Sequence, residues 1–153
     1  MPETQSRIND FVLKIATVNG TGSASANSLI MKALFRMGIP VTGKNLFPSN
    51  IQGLPTWYEV RASDKGYMSR RSHVDVMVAM NAQTYEKDLA EVGPGGFLIY
   101  DSTWPREKSL NRHDITVFGV PLSKMCNENF SVARVRILMK NVMYVGVLAA
   151  LLD

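Results

Sequence analysis

Phe11-Val12-Leu13-Lys14-Ile15-Ala16-Thr17-Val18 runs into Asn19-Gly20-Thr21-Gly22-Ser23, and the reading of the fold turns on this stretch. Apolar and β-branched residues with one charge, at Lys14, fit a strand buried on both faces of a parallel sheet. The glycine-rich turn then opens a helical segment, Ser23 to Met37, with Leu29, Ala33, Leu34 and Met37 at helical spacing. Ser23 or Ser25 is placed to cap it, Gly38 to end it, and Ile39-Pro40-Val41 to begin the next strand. Strand, glycine turn, helix and strand in this order open a doubly wound α/β fold. The sheet is expected to be mostly parallel, with helices on both faces.

The rest of the chain continues the pattern. Gly43 to Pro55, with two glycines and two prolines, reads as an ordered loop. Thr56 to Ser63 alternates like a strand with one solvated face, and Asp64-Lys65-Gly66 reads as a hairpin-type turn. Val74 to Met80 is a buried strand and Ala82 to Val92 a helix. Pro94-Gly95-Gly96 breaks that helix before a strand at Phe97 to Tyr100, closed by Asp101. Ile115 to Val120 is the last strand. A final helix, Arg134 to Leu152, has its apolar face at Ile137, Leu138, Val142, Val145, Leu148, Ala149 and Leu152. Residues 1–10 form a polar lead-in, and residues 11–153 a single domain.

With 153 residues, 46% hydrophobic and 20% charged, the composition is that of an ordinary globular domain. A net charge of +4 from scattered basic residues does not form the dense patch that nucleic-acid binding requires. One cysteine, Cys126, excludes an intrachain disulfide and a self-contained iron–sulfur cluster. It reads as a buried small residue. No signal peptide opens the chain, and the most apolar run, Val142 to Leu152, is short for a bilayer. A cytoplasmic protein without membrane contact is expected.

Two segments are candidate sites. Gly20, Thr21, Gly22 and Ser23 follow a buried strand and precede a helix, whose free N–H groups suit an anion. The same turn serves equally well as a plain connection. It lacks the third glycine and the downstream acid of a dinucleotide fingerprint, and the Gly-Lys-Ser/Thr of a P-loop. The second is Phe47 to Tyr58, a long, weakly charged loop of the kind that is usually functional, holding Ser49, Asn50, Gln52 and Gly53. Trp57 and Tyr58 close it, with one ring free to pack inward and the other to face a partner. Asp101, at a strand's carboxyl end, either faces the ligand crevice of such a sheet or caps the next turn. His73 with Asp75 has the order of a base and its orienting acid but no identified nucleophile. No residue is assigned a catalytic role. His73 and His113 lack Cys or carboxylate neighbours at metal-ligand spacing.

In order and spacing these blocks resemble the gamma domain of the 2-oxoacid:ferredoxin oxidoreductases. The resemblance is carried by the opening strand and glycine turn, Ser23-Ala24-Ser25-Ala26-Asn27, and Phe47-Pro48-Ser49-Asn50-Ile51-Gln52-Gly53. Thr56 to Ser63, Val74 to Asn81, and Pro94-Gly95-Gly96 with Asp101 extend it. It is similar above all to the amino-terminal part of the 2-oxoglutarate enzyme's alpha subunit, where this domain is fused to a thiamine-diphosphate-type domain. A C-terminal helix without a stop signal agrees with a piece cut from a longer subunit.

The resemblance implies a complex that decarboxylates a 2-oxoacid on thiamine diphosphate, passes the acyl group to coenzyme A, and sends electrons through iron–sulfur clusters to ferredoxin. Thiamine diphosphate, Mg and the clusters are expected on partner domains or subunits, with no cofactor held by this chain alone. Coenzyme A is the co-substrate, and ferredoxin an indirect partner. The resemblance places Gly20, Thr21, Gly22, Ser23, Ser49, Asn50, Gln52 and Gly53 toward coenzyme A or the active-site wall. A free-standing nucleotide- or coenzyme-binding module and a purely structural assembly domain are the alternatives.

Overall fold

The structure, a computed structural model, describes residues 9–47, 53–106 and 111–152. Its strands are β1 (Asp10–Val18), β2 (Val41–Leu46), β3 (Pro55–Ser63), β4 (Val74–Ala79), β5 (Val92–Asp101) and β6 (Thr116–Val120). The helices are α1 (Ser23–Arg36), α2 (Tyr85–Glu91), α3 (Leu122–Asn129) and α4 (Ala133–Leu152). The six strands form one sheet in the order β2-β3-β1-β4-β5-β6. From β1 to β6 the pairs are parallel, while β3 runs antiparallel to both β1 and β2. The expected α/β fold with a mostly parallel sheet is what forms, with an antiparallel wing beside β1.

Alternation along the strands divides the core in two. Leu13, Ile15, Val76, Val78 and Ile99 meet Ile30 and Leu34 of α1 and Tyr144 and Leu148 of α4 on one face. Val12, Met77 and Leu98 meet Tyr85 and Leu89 of α2 on the other. Lys14 also points to the α2 side, where its ammonium pairs with Glu91 and lies over the Trp57 ring. A buried lysine in a central strand is tolerated because that carboxylate meets it.

Three expectations change. Gly43 to Leu46 is not loop but most of β2, because β2 and β3 pair from Val41↔Ala62 to Leu46↔Trp57. Gly43 makes this fit, since a side chain there would collide with the Tyr58 hydroxyl and with Met31. Second, β3 has no solvated face. Between two strands, its Glu59 and Arg61 are buried and carry their own partners. Arg70 grips Glu59 with two bonds of 2.9 and 3.0 Å, and Arg61 meets Asp10 at 2.7 Å. Third, the turn at 64–66 forms, with Gly66 N donating to Ser63 O at 3.1 Å, but closes no hairpin. The next strand, β4, lies across β1 from β3.

The helices also differ in detail. α1 is capped by neither serine: its N-cap is Gly22, left-handed at φ 77, and the Ser23 hydroxyl pairs with that of Thr17 at 3.0 Å. Its C-terminus is as expected. Gly38 N reaches Phe35 O and Ile39 N reaches Leu34 O, at 3.0 and 3.1 Å, a Schellman ending that needs the positive φ of Gly38. α2 passes directly into β5, and Pro94-Gly95-Gly96 forms a register shift within that strand. The short α3 was not expected, because its sequence is mostly polar. Its inward contacts are Leu122 and Cys126, one turn apart. Cys126 is indeed buried, and burial pushes its thiol pKa upward.

α4 departs most. Of the apolar face read from the sequence only Leu148 is buried, and the inward residues are Asn141, Tyr144 and Leu148. Two hydrogen bonds select this rotation. Tyr144 Oη donates to Asn27 Oδ1 at 2.8 Å, and Asn141 Nδ2 to Thr21 O at 2.9 Å. The run Val142 to Leu152 is therefore only part of a 20-residue helix, long and apolar enough by length and composition to cross a membrane.

Candidate functional site

β1, β4 and β5 are parallel, so their carboxyl ends meet at one edge of the sheet, where open α/β sheets take ligands. A cavity of about 350 Å³ lies there. Val18, Gly53, Met80, Asn81 and Gln83 line it with Tyr85 and Tyr100. Asp101, Trp104, Arg106 and Lys140 also line it.

Local chemistry holds each part. Asn81 is buried, donates to Thr17 O at 3.3 Å and accepts from Gln83 N at 2.9 Å, which fixes the turn leaving β4. Arg106 stacks its guanidinium 4.5 Å over the Tyr85 ring. The Tyr85 hydroxyl is buried without a hydrogen-bond partner. Burial pushes its pKa up to about 12, so it stays a neutral donor. The Trp104 indole is 64% exposed at the rim. Two cations and an accessible flat ring suit a ligand with anionic oxygens and a planar group.

Asp101 does both: it lines the cavity and caps α3. Its carboxylate accepts from Ser123 N at 3.1 Å, from the Ser123 hydroxyl and from Thr103 N at 3.1 Å, with Lys140 Nζ 3.9 Å away. Burial raises its pKa, but the hydrogen bonds from Ser123 and Thr103 outweigh this and hold it below 3.8. The sign follows: this carboxylate stabilises the fold fully above pH 3.8, and less as the pH falls through its lowered value. Asp101→Asn is expected to cost about 1–2 kcal/mol at neutral pH. Urea denaturation at a series of pH values should show wild type and variant converging in acid.

The sequence-derived candidates divide. Gly20 is exposed, and the Thr21 hydroxyl closes the turn on Val18 O at 2.8 Å. Gly22 lies against Leu138 of α4, and Ser23 is buried. The turn is thus largely engaged with α4. Gly53 lines the cavity and donates to Asn19 O at 3.1 Å, while Asn19 N donates to Leu54 O at 2.9 Å. The glycine turn and the end of the 47–58 loop are thereby stitched together. Ser49, Asn50 and Gln52 lie outside the described residues. Neither aromatic beyond that loop reaches the cavity. Trp57 Nε1 donates to Asp88 Oδ1 at 2.8 Å on the α2 side, and Tyr58 is buried against Met31 on the other. His73 and Asp75 stand 3.8 Å apart at the amino end of β4, away from the cavity. The sequence reading did not pick out Asn81, Tyr85, Tyr100, Trp104, Arg106 or Lys140. The rule that ligands sit at strand carboxyl ends points to Asn81, whereas Lys140 comes from a helix distant in sequence.

The chain belongs to the family described as pyruvate ferredoxin/flavodoxin oxidoreductase, which it matches over residues 12–153. Among curated relatives, it is 31% identical over 121 residues to the alpha subunit of 2-oxoacid:ferredoxin oxidoreductase 2 of Aeropyrum pernix. The match takes in 79% of this chain and 18% of the relative. It is 28% identical over 93 residues to the alpha subunit of enzyme 1 of that organism, covering 60% of this chain and 15% of the relative. The chain thus spans less than a fifth of the length of these relatives. Among solved structures, 2-oxoglutarate:ferredoxin oxidoreductase from Magnetococcus marinus, with 2-oxoglutarate, coenzyme A and succinyl-CoA bound, matches at a TM-score of 0.68 and 27% identity. That match covers 78% of this chain and 21% of the other. The gamma subunit of a keto/oxoacid ferredoxin oxidoreductase from Geobacter sulfurreducens shares the fold, at a TM-score of 0.72 and 18% identity, covering 92% of this chain and 76% of that one.

Proposed function

We propose that this chain is the domain of a 2-oxoacid:ferredoxin oxidoreductase that walls the active site and receives coenzyme A, with 2-oxoglutarate as the 2-oxoacid. In the complex, a 2-oxoacid loses CO₂, its acyl group passes to the coenzyme A thiol, and the electrons released go to ferredoxin. With one cysteine, this chain lacks the thiolates for an iron–sulfur cluster, and the described residues hold no group of three or more His, Cys, Asp or Glu suited to a metal. In this reading clusters, thiamine diphosphate and Mg belong to partner domains or subunits, and the complex is cytoplasmic. The observation that carries the reading is the cavity at the strand carboxyl ends, where Arg106 and Lys140 suit the phosphates of coenzyme A. Engagement of the glycine turn by α4 disfavours a free-standing module built on that turn.

The test is steady-state viologen reduction by the assembled enzyme with 2-oxoglutarate and coenzyme A. Losing one charge-assisted contact costs about 1.5–3 kcal/mol, or roughly 10–150-fold in affinity. Arg106→Ala and Lys140→Ala should raise the apparent KM for coenzyme A on that scale, leaving kcat and the KM for 2-oxoglutarate within about threefold. An unchanged coenzyme A KM in both variants refutes the site.

A further inference from the structure

Lys140 lines the cavity from α4, and its ammonium does not stand alone there. Its Nζ lies 3.9 Å from Asp101 Oδ2 and 3.5 Å from the Ser123 hydroxyl oxygen. The backbone beneath it is also fixed, because the next residue, Asn141, donates to Thr21 O at 2.9 Å. Leu122 and Cys126 bury the inner side of α3, and the first turn of that helix carries Ser123 to the carboxylate of Asp101.

A lysine ammonium rides on a flexible stem, and fixing it on an anion costs rotamer freedom. Here the stem is held at both ends before a ligand arrives. The Ser123 hydroxyl supplies the outer hold: it donates to Asp101, and its oxygen accepts from Lys140 Nζ. Asp101 is buried, and its carboxylate also accepts from Ser123 N and Thr103 N, both at 3.1 Å. Its lone pairs are thus largely occupied, and at 3.9 Å it keeps the ammonium near without closing a tight ion pair. Those same bonds hold its pKa below 3.8, so the pull on Lys140 persists through the neutral range. The Lys140 side chain is 28% exposed and has three N–H donors, which leaves donors for an anion in the cavity.

We propose that Ser123, anchored on Asp101, is a positioning residue that aims the Lys140 ammonium at a phosphate of the coenzyme. This rests on the functional reading above, which supplies the anion. The short helix α3 thereby does more than pack: it fixes from the sheet side a cation that α4 brings from the other end of the chain.

The assay is steady-state viologen reduction by the assembled enzyme, with 2-oxoglutarate held constant and coenzyme A varied. Ser123→Ala removes the hydroxyl but keeps the backbone N–H that α3 offers to Asp101. It should raise the coenzyme A KM about three- to tenfold, the worth of one hydrogen bond, with kcat within about twofold of wild type. Ser123→Thr restores the hydroxyl and should return the KM to within about twofold of wild type. In a Lys140→Ala background, Ser123→Ala should add no further rise, because the group it positions is gone. A loss that came only from loosening α3 would add in both backgrounds. An unchanged or lowered KM in Ser123→Ala, no rescue by threonine, or an equal rise with and without Lys140 overturns the positioning alone. If Arg106→Ala and Lys140→Ala both leave the coenzyme A KM unchanged, the functional reading falls and the positioning with it.

Discussion

Gly22→Val is expected to lower the thermal midpoint by about 5 °C or more. Two costs coincide at this residue. At φ 77, a residue with a Cβ pays about 1–2 kcal/mol, and a β-branched one more. A Cβ built there lies 2.6 Å from Leu138 Cδ2, so the half-exposed Leu138 side chain must also swing aside. That adjustment of a flexible side chain adds less than overpacking in a closed core, which costs about 1–3 kcal/mol. For a domain of this size each kcal/mol moves the midpoint by roughly 2–4 °C. Circular dichroism melting of the variant measures the sum, and a shift under 3 °C would mean that α4 does not hold this turn. Gly20→Ala, at an exposed glycine of φ 87, carries the backbone cost without β-branching and should lose less.

The second large effect belongs to Asp88, which is fully buried. Its carboxylate accepts from Trp57 Nε1 at 2.8 Å and from Thr84 Oγ1 at 2.6 Å, joining β3 to α2. Burial raises its pKa, against the lowering by Thr84 and Trp57. For an acid shifted upward, the associated stabilisation is complete below pH 3.8 and is lost as the pH rises through the raised value. Burial of this carboxylate thus works against its charged form. Asp88→Ala leaves the indole N–H and the threonine hydroxyl unsatisfied and should cost about 2–4 kcal/mol. Asp88→Asn keeps an acceptor for the indole and offers its amide to the hydroxyl, so at pH 7 it should fall within about 1 kcal/mol of wild type. Urea denaturation of the two variants separates lost hydrogen bonding from lost charge. Equal losses would show that the charge itself is required.

What the sequence revealed was local. The apolar run of β1, the positive-φ glycines after it and the Schellman stop at Gly38 depend on residues a few positions apart, and the α/β class follows from their order. What it concealed was set by distant partners. Glu59 and Arg61 suggest a wet strand face until Arg70 and Asp10 are placed beside them. The rotation of α4 follows from hydrogen bonds of Asn141 and Tyr144 to residues near the start of the chain, and no helical periodicity reports these. The site was half legible for the same reason. Gly53 reaches the cavity because β3 starts where antiparallel β1 ends, at Val18↔Pro55. Trp104 and Arg106, by contrast, follow Asp101 in a segment without periodicity, and only the fold turns them toward Tyr85.

The position of β1 has a consequence for synthesis. Among the described strands it comes first in the chain, yet it lies inside the sheet, with β3 and β4 as its neighbours. At about 5–20 residues per second, a ribosome reaches Val74 roughly 3–11 s after releasing Val18 into the growing chain. Throughout that interval the sticky segment Phe11 to Val18 has no parallel mate, and for most of it no antiparallel one. A nascent chain of this domain is thus a natural client for a ribosome-associated chaperone, and slowing translation between the two strands should increase its aggregation rather than its yield.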